Sequence, residues 1–382
     1  MNTDVVAATR AGTKLGALLV ALGLAASVSA CGSSGSSTTA SNSGSSGASS
    51  TASGDPGSTG TGTSAIPYDG PEKQYIGAVP GATEKPGYKF TIGFLQPAGF
   101  IPTLVVDQQA AEAETKALGG QFIALDANDS VQTQVSQFND LIAKKVSAII
   151  SFPLDPSAEG PSLKAAEQAG IPVIEQEAPA EVTQPRVPST VTQVTQGWDQ
   201  SSYLTMKAIA TLEPGVTFGV IDTSSPIPAL HYQAETETAW GEKFGLKFTG
   251  KVFATADTPS AWAAAAESLI TKYPTTKVIL AYNDPVALSG ISALRSGGHT
   301  DVKLATTNGY STGAKAEIES GAMIADYTVP WNAIGKATTD IVYEVLTKQK
   351  PATSFAVAYI PPGVVATKAT LDEPAVTSET VK

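Results

Sequence analysis

Asn283 and Asp284 stand where an unbroken apolar run, Val278 to Ala281, gives way to Pro285 and a helical pattern. An amide carries both donor and acceptor, which suits a ligand hydroxyl. An aspartate just ahead of a first-position proline suits a helix cap. The apolar run predicts a strand buried on both faces. Asn283 is therefore expected at the carboxyl end of a parallel strand, where open α/β sheets bind their ligands. We read Asn283 as a ligand contact and Asp284 as the cap. Gln96, Glu175, Glu177, Asp222 and Asn308 are further acceptor-bearing candidates, and Phe100, Phe152, Trp198 and Trp331 could supply aromatic faces. Strand alternation would put Glu175 and Glu177 on one face. Trp198 reads equally well as the opening residue of a helix, and Trp331 as packing.

These residues form no catalytic constellation. His231 and His299 are the only histidines. There is no Cys/His ligand set, no Gly-x-Ser-x-Gly elbow and no glycine-rich phosphate loop. No enzymatic activity, metal or cofactor is expected. A net charge of −11, with 24 Lys and Arg, excludes the basic face that nucleic acids require.

The elements that must position the candidates alternate along the chain. Phe90–Leu95 reads as a strand, Leu104–Leu118 as a helix, and 122–125 as a strand. A stripe at Val131, Val135, Phe138, Leu141 and Ile142 predicts the next helix. Strands over 146–152 and 171–174 flank a helix at 158–169, and a short strand follows at 190–195. The pattern then repeats, from a helix over Trp198–Leu212 to a strand over 323–327. In that second half, 232–244 is read as a helix. A last helix spans 333–346, with late strands at 355–359 and 364–365. Alternation of this kind means parallel sheets with helices on both faces. Two such series suggest two lobes, and chain left over after the second suggests more than one crossing between them. At 382 residues, 42% of them hydrophobic, the chain can bury two cores.

The amino-terminal portion reads as targeting rather than fold. Arg10 and Lys14 precede an apolar run, Leu15 to Ala26, that is too short to span a bilayer. Val28-Ser29-Ala30-Cys31-Gly32 follows and holds the only cysteine of the chain. This is similar to the lipobox of bacterial lipoproteins, in which that cysteine is lipidated. Residues 1–30 are thus expected to be a signal peptide. Residues 31–65 then form a lipid-bearing Gly/Ser/Thr linker spanning roughly 30 Å root-mean-square. The four prolines Pro67, Pro71, Pro80 and Pro86 mark an irregular lead-in.

Several segments in order resemble the ribose-type family of bacterial substrate-binding proteins that serve ABC sugar importers. They are Ile92-Gly93-Phe94 with Pro102; Ile149-Ile150-Ser151-Phe152-Pro153; Ala169-Gly170-Ile171-Pro172-Val173-Ile174; Tyr282-Asn283-Asp284 with Ala287-Leu288; Asn308-Gly309; and Pro330 with Ile334-Gly335. The resemblance covers about 89–368. It implies two Rossmann-like parallel-sheet lobes joined by a three-crossover hinge, with crossovers near 194–197, 327–330 and 359–362. The first lobe would comprise 88–195 plus 329–360 and the second 196–328 plus 361–370, leaving 371–382 as a tail. It also implies closure on a ligand by hinge bending, a monomer, an ABC permease and ATPase as partners, and a place on the outer face of the cytoplasmic membrane.

The family's pocket carries over only in part. Its asparagine matches Asn283, and the acidic residue after Ile-Pro-Val-Ile matches Glu177. The usual Asp-Gly is Asn308-Gly309, and the arginine after the acidic residue is Ala178. Phe152 replaces the asparagine of an Asn-Pro turn, Thr103 and Leu104 replace an aromatic pair, and Thr328 replaces a glutamine. His231, Tyr232 and Gln233 occupy the region of the second-lobe arginine. Arg10, Arg186 and Arg295 are the chain's only arginines, and none falls at a pocket position. The ligand expected is therefore not an anion but a small neutral sugar or polyol. The alternatives are a non-sugar solute, including a cationic one, and a sensory receptor role instead of transport.

Overall fold

The computed structural model describes residues 68–76, 79 and 81–378. The expected signal peptide, Cys31 and the expected linker lie outside the described residues. Among the described residues, no helix is long and apolar enough to cross a membrane.

The first series runs β1 (Thr91–Gln96), α1 (Pro102–Ala117), β2 (Gln121–Asp126), α2 (Val131–Ala143), β3 (Ala148–Ser151), α3 (Pro156–Gln168), β4 (Val173–Gln176) and β5 (Gln193–Val194). The second runs α4 (Trp198–Leu212), β6 (Thr217–Thr223), α5 (Pro228–Lys243), β7 (Lys247–Ala254), α6 (Pro259–Lys272), β8 (Val278–Ala281), α7 (Asp284–Ser296), β9 (Lys303–Gly309), α8 (Thr312–Ser320) and β10 (Met323–Thr328). Then follow α9 (Trp331–Leu346), β11 (Ala358–Tyr359), β12 (Val364–Ala366) and α10 (Pro374–Thr377).

Two sheets result, ordered β11-β5-β4-β3-β1-β2 and β12-β10-β9-β8-β6-β7. Every pairing between these strands is parallel except β10 with β12. β1, β3, β4 and β8 are buried nearly throughout, which is why they read as apolar runs without alternation. The chain passes from one sheet to the other after β5, after β10 and between β11 and β12. Although α9 follows the second series, it packs along α1 and against the first sheet. Gly335 makes that approach possible, because a Cβ there would stand 2.3 Å from the Asp107 carbonyl oxygen.

Helix starts follow the local sequence. Ser130 accepts from the Thr133 N–H and Asp155 from those of Ser157 and Ala158, so each caps the helix after it. Three expectations shift. α5 begins at Pro228 rather than at Tyr232, because proline at its start sets the first turn. The expected strand over 355–359 shrinks to two residues. Within 371–378 the expected tail begins packed: Leu371 and Val376 are buried in the second lobe's core.

The lead-in also has a defined place. Glu72 accepts from the N–H groups of Asp199 at 3.3 Å and Gln200 at 3.0 Å, the exposed donors at the start of α4. Tyr68 donates to the Asp199 carboxylate, and Ile76 bridges Ile360. Residues 68–76 therefore lie across the first and third passages between the sheets.

Carboxyl groups are buried without cations at several points. Burial raises Glu237 and Glu177 to about 8, although each accepts two hydrogen bonds. Glu175 also rises to about 8, and Glu159 and Glu72 to about 7, again chiefly through burial. In the unfolded chain such groups ionise near the ordinary glutamate value. Between that value and 7–8 the folded chain holds more protons, so stability present at low pH is lost as pH rises through this window. The melting temperature should fall as pH is raised from about 5.5 to about 8.5. Glu237→Gln should flatten that fall in a calorimetric pH series; an unchanged slope would show that Glu237 ionises in the folded state as freely as in the unfolded one.

Candidate functional site

Parallel strands deliver their following loops to one edge of each sheet. Here the carboxyl edges of the two sheets face one cavity of about 70 Å³, room for several waters but small for an occupied sugar site. From the first lobe come Pro97, Ala98, Phe100 and Leu104 after β1, Asp129 after β2, and Phe152 to Leu154 after β3. Trp198 enters from the start of α4. The second lobe adds Ile227, Ala229 and Leu230 after β6, Asp257 after β7, Tyr282 and Asn283 after β8, and Asn308 after β9.

Asn283 borders the cavity as expected, but the roles within its pair are partly exchanged. The Asn283 side chain accepts from the Val286 N–H at 3.2 Å and is the cap of α7. Asp284 instead lies buried inside the second lobe. Its Oδ2 accepts from the Ser311 N–H at 2.7 Å. Burial holds both Asp284 and its neighbour Asp326 above the usual carboxylate range, Asp326 far above. Asp284 also explains the glycine after Asn308: a Cβ on Gly309 would stand 1.9 Å from Asp284 Oδ1.

Phe152, Trp198 and Asn308 reach the cavity too. Trp331 does not border it. Its ring stacks on Phe152 at 6.3 Å between centroids and backs that residue from behind. The remaining candidates are engaged elsewhere. Gln96 donates to the Leu104 carbonyl at 2.9 Å and to Gln108, tying the first loop to its helix. Asp222 is buried and bound by Lys251 Nζ at 2.8 Å, His231 Nδ1 at 3.0 Å and the Thr223 N–H. His231 is thereby turned to Asp222 rather than to the cavity.

Glu177 accepts from Thr195 Oγ1 at 2.8 Å and from the Gln196 N–H at 2.9 Å, so it pins the first passage between sheets. It lines a neighbouring recess of about 370 Å³ together with Glu181, Tyr232 and Glu235. Its φ of 60° ends strand geometry, which breaks the expected alternation. Glu175 consequently feels the charge of Glu159, whereas Glu177 feels those of Asp107 and Glu72.

Sequence reasoning missed Asp129 and Asp257. Asp257 receives the Tyr282 hydroxyl, Trp262 Nε1 at 3.3 Å and Ser225 Oγ at 3.2 Å. All three donors are neutral and belong to its own lobe. Burial, with the Asp257 charge second, keeps the Tyr282 phenol well above its ordinary value and therefore a donor. Asp129 comes from the other lobe and faces Asp257 across the cavity that both line. Burial first, and the Asp257 charge second, push the Asp129 carboxyl up to about 6. A signal for both did exist: each is an acid at the carboxyl end of a strand and just before a helix, the rule that singled out Asn283. Among the described residues, the cavity wall carries no Lys, Arg or His. Arg186 donates to the Phe355 and Ala356 carbonyls, and Arg295 pairs with Glu317.

Two sheet-and-helix lobes, crossed three times and opening on a shared cleft, define a two-lobe ligand-binding protein. Residues 92–350 match the family model of the periplasmic binding protein domain, and the chain belongs to that family. It is similar to the ribose import binding protein RbsB of Escherichia coli, 25% identical over 264 residues that cover 67% of this chain and 84% of that one. The RbsB of Bacillus subtilis is 26% identical over 267 residues, 69% of this chain and 83% of the relative. In fold it resembles an ABC transporter solute-binding protein from Agrobacterium vitis bound with alpha-D-tagatopyranose. There the TM-score is 0.70 at 18% identity, covering 77% of this chain and 99% of that one. These relatives are solute-binding proteins of transport systems, not enzymes.

The geometry of Asn283 separates capping from recognition. Asn283→Ala should cost about 1 kcal/mol of stability through the lost cap. Asn283→Ser retains a capping oxygen and should recover most of it. Chemical denaturation of the three proteins checks this; equal stability of the alanine and parent chains would mean that the bond to Val286 contributes nothing.

Proposed function

We propose that this chain is the lipid-anchored, extracytoplasmic receptor of an ABC importer. It captures a small hydroxylated solute of sugar or polyol type between its lobes, closes by bending at the three passages, and presents the closed form to a permease and its ATPase. The observation that carries this reading is the cavity itself, whose walls come from the carboxyl edges of both sheets. Closing the lobes would bring the two halves of the wall together on a solute and exclude water from it.

The relatives support the solute class. Two are named as ribose import binding proteins. Solved proteins of the same fold carry D-allose in Actinobacillus succinogenes and myo-inositol in Bacillus halodurans. Anchoring rests on the sequence around Cys31. The Gly/Ser tether would let the body turn freely between solute capture and docking.

Two measurements test this reading. A thermal-shift screen of sugars and polyols should find a solute that raises the melting temperature, since a ligand bound only by the folded state stabilises it. With no cation in the wall, a phosphorylated form of that solute should bind more weakly than its neutral parent by titration calorimetry. Tighter binding of the phosphate would contradict the charge inventory. Separately, Cys31→Ser should move the protein from the membrane to the soluble fraction at unchanged melting temperature, and a variant still sedimenting with membranes would refute anchoring at that cysteine.

A further inference from the structure

We propose that the solute of this cleft carries a positively charged amino group, seated between Asp129 of one lobe and Asp257 of the other, and a hydroxyl oxygen that accepts from the Trp198 indole. The proposal rests on the solute-capture reading and names the class of solute.

Ser225, Trp262 and Tyr282 hold the Asp257 carboxyl group with neutral donors, which orient it and bring no positive charge. Asp129 meets it from the opposite lobe, and the described wall supplies no Lys, Arg or His to either. Hinge closure presses the two acids together, and in a cleft that excludes water their repulsion grows. A solute cation between them turns that repulsion into two charge-assisted hydrogen bonds, one to each lobe, and so links closure to occupancy.

A second, independent observation lies at Trp198. It is buried, borders the cavity, and its indole N–H has no acceptor among the described residues. Indole nitrogen only donates, so its missing partner must bring a lone pair, as a hydroxyl or ether oxygen does. Phe100, Leu104, Phe152 and Leu230 supply apolar surface for a carbon skeleton, and an aromatic face also favours a nearby cation. Carboxylates, an unsatisfied N–H and apolar walls together select a small hydroxylated amine, such as an amino sugar or amino-polyol.

The test titrates the full chain at neutral pH with matched pairs: glucosamine against glucose, galactosamine against galactose, and serinol against glycerol. The amine of at least one pair should bind about tenfold or more tightly than its neutral twin. Asp129→Asn and Asp257→Asn should each lower amine affinity by about tenfold to a hundredfold and leave the neutral twin little changed. Asp129→Asn keeps the test sound should loss of its three donors unfold the Asp257 variant. Equal or tighter binding of the neutral members overturns the proposal and leaves solute capture standing. Amine affinity unchanged in Asp129→Asn overturns it as well. Silence of the amines, with a neutral solute found in the sugar and polyol screen, overturns this proposal and leaves solute capture standing.

Discussion

At the carboxyl edge of a parallel sheet, each new helix or loop starts with backbone N–H groups that have no partner in the ladder. In this protein acidic side chains take up much of that duty. Asp126 accepts from Gly99 and Asn128, Asp155 from Ser157 and Ala158, and Asp284 from Ser311. Glu177 accepts from Gln196 and Glu72 from Asp199 and Gln200, so the same device fixes the first passage between lobes. The acidic composition is thus in large part structural. Its cost is the burial of carboxyls without counter-ions, which holds several of them protonated near neutrality.

That division of labour identifies the site. Asp126, Asp155, Asp284, Glu72 and Glu177 are committed to backbone donors. Asp257 is held only by side chains of its own lobe, and Asp129 meets it from across the cleft. The passages between lobes are stiffened on the side of residues 68–76, where Tyr68, Glu72 and Ile76 tie the lead-in to α4 and to Ile360. This fastened segment, with a single 3-10 turn at Pro71–Tyr75, thereby ties the first passage to the third.

The fold was legible because it is written in period and punctuation. Apolar runs without alternation gave the central strands, and the stripe through Phe138 and Leu141 gave α2. Register between residues that are close in sequence but divergent in space was not legible. Glu175 and Glu177 sit two positions apart, yet the positive φ of Glu177 sends them to different surroundings. Asp284 was read as the cap and Asn283 as the ligand contact, and only the close approach of Gly309 to Asp284 shows which side chain goes inward. Asp222 was a sound candidate by position at the end of β6. Lys251, on neighbouring β7, claims it, and such pairing across strands leaves no mark in a linear pattern. Asp129 and Asp257 were hidden for the opposite reason: each looks like an ordinary residue before a helix, and their meaning comes from facing each other.

The departures from the ribose-type pattern then form one consistent change rather than scattered losses. Where that pattern places an arginine beside the acidic residue, this chain has Ala178, and Glu177 turns to the passage between sheets. Where the pattern has a charged Asp-Gly, the chain has Asn308-Gly309, and the glycine is retained because Asp284 lies against it. No arginine stands in the described cleft wall, and the second lobe's acid there is Asp257, after the edge strand β7, rather than a residue at the end of β9. Phe152, backed by Trp331, fills the place of a polar turn residue with an aromatic face. An absence of cations from the described wall and two acids facing each other from opposite lobes act in the same direction. A cleft built this way leaves any balancing positive charge to come from outside the wall.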